Sequence, residues 1–237
     1  MQCLILAGGL GTRMQSHDPT VPKALLPVAG RPFADWQLRW LESEGVESVV
    51  YSIGHKGNLI REFVGDGSQW GLSVTYVQET GELLGTGGAV RLAGDQGVLE
   101  DRFFVLYGDS YLRVNLAGVD QAFRESGLPA LMTVLDNAGQ WDASNVIFDD
   151  PLVVQYRKGL SDPPPQMHYI DYGLLEFERE VIMERIPGEQ RMDLSEVLAP
   201  LSDVGLLGGF EVQDRFFEVG SPKGLRDLEM FLEGMIG

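Results

Sequence analysis

The chain is poor in cysteine and histidine, the residues that build disulfides and zinc sites. Its 237 residues include one cysteine, Cys3, which excludes an internal disulfide framework and a CxxC metal site. The three histidines, His17, His55 and His168, form no H-x₃-H pair, so a zinc site is disfavoured. A reducing, cytoplasmic compartment is the simplest expectation for such a sequence.

Basic residues and long apolar runs are also scarce. Lysine and arginine number 18 against 35 aspartates and glutamates, which gives a formal net charge of −17. This balance argues against a sequence-independent nucleic-acid binder and against attraction to an anionic membrane, because both need a basic face. No segment reaches the roughly 18 uninterrupted apolar residues of a membrane span. We therefore expect a globular protein with no nucleic-acid or membrane partner.

What the sequence does contain is an alternation of short apolar runs with helix-period segments. Apolar residues spaced three and four apart predict helices over residues 33–44 and 59–64. Short apolar runs predict buried strands over residues 4–7, 49–53, 74–77 and 103–107. Strands and helices in turn favour an α/β fold with parallel strands and crossover helices.

From residue 130 onward the pattern changes to closely spaced strands. Strands are predicted over residues 130–134, 146–148 and 153–156, which indicates a hairpin or a mixed-sheet insertion. Two helices are predicted over residues 177–185 and 194–201, two late strands over 206–212 and 216–219, and a closing helix from Pro222. No linker separates two compositions, so we expect a single domain over residues 1–237.

The first predicted strand runs directly into a glycine-rich loop that contains Gly8, Gly9 and Gly11. Glycines in this position let backbone N–H groups approach a phosphate or a base. The loop is not a G-x-G-x-x-G fingerprint, which needs glycine where Met14 stands, nor a Walker loop, which needs Gly-Lys-Ser/Thr. On spacing alone, a tight turn without a ligand is an equally good interpretation.

Basic residues cluster around this loop. Within residues 1–31, Arg13, Lys23 and Arg31 stand against Asp18 alone, so the local net charge is +2 and the remainder carries −19. A phosphorylated ligand requires such a basic island in an otherwise acidic chain. One lysine or arginine is commonly a solvated surface charge, but three around one loop favour a phosphate site.

These residues carry a resemblance to a known family. The stretches LILAGGLGTRM and PKALLPVAGRPF resemble the signature of the sugar-1-phosphate nucleotidyltransferases, a strand followed by GG-x-GTR, a variable loop and a PK-x-(L/M)-x-P segment. Four later stretches are similar to further family motifs: LLGTGGAV at 83–90, FFVLYGDSYL at 103–112, YIDYGLLEF at 169–177 and FFEVGSPKGL at 216–225. The resemblance covers most of the chain.

The resemblance implies a fold and a reaction. The fold is a Rossmann-like three-layer α/β sandwich with a mostly parallel mixed sheet, of the nucleotide-diphospho-sugar transferase type. Residues 1–130 would bind a nucleoside triphosphate and residues 131–237 a sugar 1-phosphate. A sugar 1-phosphate oxygen attacks the α-phosphate and pyrophosphate leaves, with Mg²⁺ as cofactor. Such a reaction needs positioning and charge neutralisation rather than a nucleophilic side chain.

The resemblance also implies roles for individual residues. The catalytic residues are Arg13 over the β- and γ-phosphates, Lys23 at the α-phosphate or the sugar phosphate, and Asp109 at the Mg²⁺ ion. The nucleotide-binding residues are Leu6, Ala7, Gly8, Gly9, Gly11, Thr12, Gly85, Thr86 and Gly88. The sugar-phosphate-binding residues are Asn145, Lys158, Asp171 and Gly173.

At three positions the chain departs from the family pattern. Glu218 stands where the family's second metal ligand is an aspartate, and its extra methylene moves the carboxylate outward. Asp171 stands where the family has an asparagine that touches the sugar, and an ionised carboxylate cannot donate a hydrogen bond as an amide does. Arg157 stands where a glutamate is usual. Neutral drift is an equal alternative for Asp171 and Arg157.

The stretch LLGTGGA is closest to members that use GTP, which favours GTP with a heptose or hexose 1-phosphate. Uridylyl or thymidylyl transfer stays open. So do a cytidylyltransferase that acts on a non-sugar phosphate and a non-catalytic module that binds a nucleotide sugar. The sequence leaves the sugar and the oligomeric state unspecified, so a homo-oligomer is an open alternative to a monomer.

Overall fold

The chain folds into a series of strands and helices, with several strands in succession between residues 130 and 178. The computed structural model describes residues 1–9, 20–137, 139–188 and 190–236. The strands are β1 (Gln2–Ala7), β2 (Pro27–Val28), β3 (Arg31–Pro32), β4 (Ser48–Ile53), β5 (Ser73–Gln78), β6 (Arg102–Tyr107), β7 (Ser110–Tyr111), β8 (Ala130–Asp136), β9 (Val146–Asp149), β10 (Leu152–Tyr156), β11 (Tyr169–Glu178), β12 (Leu207–Val212) and β13 (Phe217–Glu218). The helices are α1 (Phe33–Ser43), α2 (Gly57–Val64), α3 (Gly85–Asp95), α4 (Leu116–Ser126), α5 (Arg179–Arg185), α6 (Ser195–Asp203) and α7 (Pro222–Ile236).

A nine-stranded sheet forms the centre of the molecule, in the order β5-β4-β1-β6-β11-β8-β12-β10-β9. Strands β5, β4, β1 and β6 are parallel to one another, and β12 is parallel to β8. Strand β11 runs antiparallel to β6 and β8, and β10 runs antiparallel to β12 and β9. The predicted mixed, mostly parallel sheet is therefore confirmed.

Side chains alternate between the two faces of the sheet and divide the core into two clusters. Along β1, Cys3 and Ile5 pack on one face and Leu4 packs on the other. Helices α1, α2, α4 and α7 add apolar residues to the first cluster, and α3, α5 and α6 add theirs to the second. This is the three-layer sandwich that the resemblance implies. Within the described ranges, no helix combines the length and the apolar character that a bilayer crossing demands.

Most predicted elements lie where the apolar pattern places them. The strands predicted over 4–7, 49–53, 74–77 and 103–107 are confirmed as β1, β4, β5 and β6, and each is one or two residues longer. The helix predicted over 177–185 is wrong at its start. Phe177 belongs to β11, in which it pairs with Phe103 and Ala130. Helix α5 therefore begins only at Arg179. Helices α3 and α4 have no counterpart among the predicted elements.

The carboxyl ends of β1, β4 and β6 meet at one edge of the sheet. The Gly108 N–H donates to the Leu6 carbonyl at 3.0 Å, so the turn after β6 lies against the end of β1. A Cβ on Gly54, after β4, would lie 2.6 Å from the Gly8 carbonyl oxygen. Glycine is needed here because the three turns approach one another too closely for a side chain. Ligands of open α/β sheets bind at this edge.

Candidate active site

A cleft of about 250 Å³ lies at the carboxyl ends of β1 and β6. Eight residues predicted for nucleotide binding or catalysis line it: Leu6, Ala7, Gly8, Gly9, Lys23, Gly85, Thr86 and Asp109. Three further predicted residues, Gly11, Thr12 and Arg13, lie outside the described residues. The sheet edge thus gathers residues that are far apart in the sequence.

Lys23 and Asp109 form an ion pair in this cleft. Lys23 begins the 3-10 turn Lys23–Leu25, directly after Pro22, and Asp109 lies two residues beyond the end of β6. The Lys23 Nζ lies 2.8 Å from the Asp109 Oδ2, and the two side chains are 20% and 30% exposed. Water screens such partly buried charges less than it screens surface charges.

Glu218 is held close to Asp109 by a short strand pair. Strand β13 pairs with β7, which places Glu218 opposite Ser110, and the Val219 N–H donates to the Asp109 carbonyl at 2.9 Å. The Glu218 carboxylate accepts hydrogen bonds from the Gly220 N–H and the Ser221 hydroxyl. Its position is therefore fixed by the turn that follows β13.

Gly220 shows how closely the three charged groups converge. A Cβ built on Gly220 would lie 2.6 Å from the Glu218 Oε2, 3.0 Å from the Asp109 Oδ2 and 3.2 Å from the Lys23 Nζ. A single methyl group would thus touch both carboxylates and the ammonium. Glycine keeps the space among them open, and we refer to Lys23, Asp109 and Glu218 as the charged cluster.

The donor set of the charged cluster fits Mg²⁺. Magnesium is commonly held by one or two carboxylates together with substrate phosphates and water, and Asp109 and Glu218 supply two carboxylates. Among the described residues, no group of three or more histidine, cysteine, aspartate or glutamate side chains is placed to form an all-protein metal site. The set is thus suited to an ion that shares its ligands with a polyphosphate. The Lys23 ammonium offsets part of the carboxylate charge.

The glycines at the start of α3 pack against residues 190–193. The Gly87 and Gly88 N–H groups donate to the Met192 carbonyl at 2.9 and 3.2 Å. A Cβ on Gly88 would lie 2.6 Å from the Gln190 carbonyl oxygen. The resemblance implies nucleotide binding by Gly85, Thr86 and Gly88, and the structure shows that the N–H groups of Gly87 and Gly88 are hydrogen-bonded within the protein. Gly85 and Thr86 line the cleft. Gly88 packs against the Gln190 carbonyl, and its role in nucleotide binding stays a prediction.

Of the four residues predicted for sugar-phosphate binding, Asp171 and Gly173 lie in β11, Asn145 directly precedes β9 and Lys158 lies two residues after β10. The Asp171 N–H donates to the Asn145 Oδ1 at 2.9 Å, and the Gly173 N–H donates to the Asp171 Oδ1 at 3.0 Å. Lys158 is exposed, and its Nζ lies 3.5 Å from Asp193. Asn145, Asp171 and Gly173 therefore form one hydrogen-bonded group.

Asp171 lies in a polar pocket between two tyrosines. The Tyr107 hydroxyl lies 3.4 Å from the Asp171 Oδ2. The Tyr107 and Tyr156 hydroxyls both act to lower the pKa of this carboxyl. Burial raises the pKa of Asp171 to about 6, although the Gly173 N–H and the Lys158 charge act in the opposite direction. Because Tyr107 also lines the cleft, Asp171 is one side chain away from the predicted nucleotide site.

The sequence of this chain matches a known protein family. Residues 3–159 match the MobA-like NTP transferase domain. The chain belongs to this family. The matched range contains Lys23 and Asp109 of the charged cluster and the glycines that follow β1.

Individual relatives point to the same type of NTP transferase. The chain is 27% identical over 221 residues to a UTP–glucose-1-phosphate uridylyltransferase of Synechocystis, a match to 87% of this chain and 56% of the relative. It is 28% identical over 158 residues to a D-glycero-alpha-D-manno-heptose 1-phosphate guanylyltransferase of Campylobacter jejuni, a match to 67% of this chain and 68% of the relative. The chain thus spans little more than half of the first relative and about two thirds of the second.

A solved structure confirms the NTP transferase fold over nearly the whole chain. HddC from Yersinia pseudotuberculosis superposes with a TM-score of 0.79 and 23% identity, covering 98% of this chain and 99% of that one. At this identity the likeness concerns the fold. The α/β nucleotide-diphospho-sugar transferase architecture expected from the sequence is therefore confirmed.

Glu79 is a residue of the NTP transferase cleft that the sequence motifs do not indicate. It follows β5 directly, so it lies at the same sheet edge as Gly8, and it lines the cleft. Its Oε2 accepts the Leu84 N–H at 2.8 Å, and its Oε1 lies against Gly8. Burial raises the pKa of Glu79. A carboxylate just beyond a predicted parallel strand is the sequence signal that could have found it.

Proposed function

We propose that this chain transfers a nucleotidyl group from a nucleoside triphosphate to a sugar 1-phosphate. The observation that carries the proposal is the charged cluster of Lys23, Asp109 and Glu218 beside the glycines that follow β1. An oxygen of the sugar phosphate attacks the α-phosphorus, and a new P–O bond forms. The bond from the α-phosphorus to the bridging oxygen breaks, and pyrophosphate leaves with that oxygen.

Lys23 and the glycine loop supply the positioning that this reaction needs. Negative charge builds up around the α-phosphorus in the transition state, and a fixed cation near it is worth more in a partly buried cleft than in water. Lys23 is already held in place by Asp109. Arg13 stays a sequence prediction, with its role at the β- and γ-phosphates.

We assign Mg²⁺ as the cofactor, with Asp109 and Glu218 as its protein ligands. When bound, the ion would neutralise phosphate charge and polarise the reacting phosphorus. Glu218 is kept near Asp109 by the pairing of β13 with β7, so the longer side chain is compatible with a shared ion. The protein's contribution is to hold both carboxylates in one place before the nucleotide arrives.

GTP is the nucleotide that we favour, and Glu79 supports it. A carboxylate accepts hydrogen bonds and cannot donate them when ionised. Guanine presents neighbouring N–H donors at N1 and N2, whereas uracil and thymine present one N–H between two carbonyl acceptors. Burial raises the pKa of Glu79, and two hydrogen bonds donated by guanine would stabilise its ionised carboxylate against this effect. UTP and TTP remain the alternatives.

A heptose or hexose 1-phosphate is the acceptor that we favour. Asn145, Asp171 and Gly173 form a polar surface next to Tyr107, and the Lys158 ammonium stands beside it. Sugar hydroxyls donate hydrogen bonds that a carboxylate accepts well.

We also propose a cytoplasmic location, because a nucleoside triphosphate is the donor and the one cysteine, Cys3, is a buried free thiol.

The test is pyrophosphate release with Mg²⁺, each nucleoside triphosphate and a panel of sugar 1-phosphates that also includes choline phosphate. We expect release with GTP and a heptose or hexose 1-phosphate. Release with UTP or TTP only would replace GTP by that nucleotide as the donor. Release with CTP and choline phosphate would identify a cytidylyltransferase. Binding of a nucleotide sugar without any release would identify a binding module instead.

Gly220→Ala tests the charged cluster without removing any of its side chains. The added methyl group would lie within 3.2 Å of Lys23, Asp109 and Glu218, so we expect turnover to fall at least about tenfold. The matched control is Gly234→Ala in α7, whose Cβ would meet nothing within 4 Å and which should keep turnover. Thermal melts of both variants establish that they fold. Equal turnover in the two variants would place the chemistry elsewhere.

A further inference from the structure

Gln37 is a polar side chain at a position where the helix pattern calls for an apolar one. It lies in α1 and is fully buried, on the face that also presents Phe33, Leu38 and Leu41 to the core. Residues spaced three and four apart on one helix face normally share the chemistry of the core they meet. Local rules are most often broken at functional positions, which makes Gln37 a candidate for a role beyond packing.

The amide of Gln37 holds the turn that carries Asp109. Its Nε2 donates to the Ser110 carbonyl at 2.9 Å and reaches the Tyr107 carbonyl at 3.5 Å. These two carbonyls flank Gly108 and Asp109. Because carbonyl oxygens only accept hydrogen bonds, the nitrogen of the amide has to face them.

This contact leaves the other end of the amide without a partner. The Gln37 Oε1 is buried and has no hydrogen-bond partner among the residues that the structure describes. A buried acceptor without a donor destabilises a protein, and an apolar side chain of similar size would avoid that cost. Core packing therefore does not explain the glutamine, whereas fixing the Asp109 turn does.

Two backbone hydrogen bonds hold the same turn from other sides. The Gly108 N–H donates to the Leu6 carbonyl of β1 at 3.0 Å, and the Val219 N–H donates to the Asp109 carbonyl at 2.9 Å. Gln37 adds a side-chain contact from α1. The turn is thus attached to β1, to α1 and to the segment after β13.

We propose that Gln37 is a positioning residue, which fixes the turn of Asp109 so that this carboxylate is directed at Lys23 and at the metal before substrates bind. The proposal rests on the proposed function for the identity of the metal site. It assigns Gln37 no contact with substrate. Its effect reaches the reaction only through the orientation of the Asp109 carboxylate.

The experiment compares Gln37→Met with Gln2→Met. Gln2 is a matched control because it is also buried and also clamps backbone: its Nε2 donates to the Val98 carbonyl at 3.1 Å, and its Oε1 accepts the Glu100 N–H at 2.8 Å. It does so at the amino end of β1, at the opposite edge of the sheet. The measurements are the Mn²⁺ affinity by electron paramagnetic resonance, the KM for Mg²⁺ in pyrophosphate release and the thermal midpoint.

We expect Gln37→Met to weaken Mn²⁺ affinity and to raise the KM for Mg²⁺, each about tenfold, which corresponds to a loss of about 1.4 kcal/mol. Gln2→Met should lower the thermal midpoint at least as much and leave both metal parameters at wild-type values. Gln37→Leu serves as a second variant if the methionine variant does not fold.

Wild-type metal parameters in a folded Gln37 variant, or the same loss in Gln2→Met, would overturn the proposal. The Mn²⁺ affinity also separates this proposal from the proposed function. If wild-type protein binds Mn²⁺ but releases no pyrophosphate with any substrate pair, the proposed function fails. The comparison of the Gln37 and Gln2 variants then still decides the role of Gln37.

Discussion

At the scale of single residues, Asp171 connects the candidate site to pH. Burial raises its pKa from the usual 3.8 to about 6, so the folded protein holds this carboxyl protonated below about pH 6 and ionised above it. An ionised carboxylate accepts two hydroxyl donors, whereas the protonated form loses part of that capacity. We predict that the KM for the sugar phosphate falls as pH rises through about 6, by up to about tenfold per unit.

Asp171→Asn should remove this pH dependence, because an amide does not titrate. The sugar phosphate has its own second ionisation near pH 6, so the comparison is the KM of wild type divided by that of the variant at each pH from about 5 to 8. A ratio that stays constant over this range would exclude Asp171 from acceptor binding. Thermal melts over the same range check that the variant stays folded.

The site residues also show which parts of the site can be predicted from this sequence. Lys23 and Asp109 are predictable because each belongs to a motif, and the fold places them 2.8 Å apart. Glu79 and Gln37 belong to no motif. Glu79 matters because β5 pairs with β4 at the edge of the sheet and its carboxylate lies against Gly8. Gln37 matters because α1 lies against the turn after β6. Both contacts arise only in the tertiary structure.

At the scale of elements, the glycine-rich start of α3 shows why the local sequence pattern does not predict every helix. Glycine is among the poorest helix formers, so GTGGAVRLAGD does not predict a helix. The helix forms because residues 190–193 pack against the glycines and accept their N–H groups through the Met192 carbonyl. The strands of the parallel half were predictable, since buried β1, β4 and β6 are continuous apolar runs.

This packing predicts that Gly88→Ala lowers the free energy of unfolding, which is the reverse of the usual effect in a helix. Alanine normally stabilises a helix interior by about 1 kcal/mol relative to glycine. At Gly88 the new Cβ would lie 2.6 Å from the Gln190 carbonyl oxygen and 2.7 Å from the Leu84 Cβ, so we expect a loss of about 1–3 kcal/mol in the free energy of unfolding. Urea unfolding of Gly88→Ala beside Gly234→Ala in α7 provides the comparison. Stabilisation of both helices would show that α3 is not constrained by residues 190–193.

At the scale of the whole molecule, both edges of the sheet carry a cavity with charged side chains. The carboxyl edge carries the charged cluster, whereas the amino edge has a second cavity lined by Arg102, Arg124, Asp120 and Glu176. Glu176 is 2% exposed, and within the described part of the chain its Oε2 has no hydrogen-bond partner. Because the carboxyl is buried and lies next to Asp120, the fold resists its ionisation.

Burial and the adjacent Asp120 raise the pKa of Glu176 to about 8, from 4.5 in its ordinary state. Since the folded pKa is the higher one, the stability that the neutral carboxyl contributes is complete below about pH 4.5 and is lost as pH rises towards 8. Glu176→Gln stays neutral throughout. We therefore predict that it matches wild type near pH 4.5 and exceeds it near pH 8.5, on the order of 2 kcal/mol in the free energy of unfolding.

Urea unfolding at both pH values measures this difference, and Glu233→Gln is the matched control. Glu233 is exposed in α7, so its substitution removes the same formal charge without changing a buried group. General relief of the acidic net charge would stabilise the two variants equally, with little dependence on site. A gain confined to Glu176→Gln and to the higher pH would show that the amino edge of the sheet, and not the net charge, makes this fold sensitive to alkaline conditions.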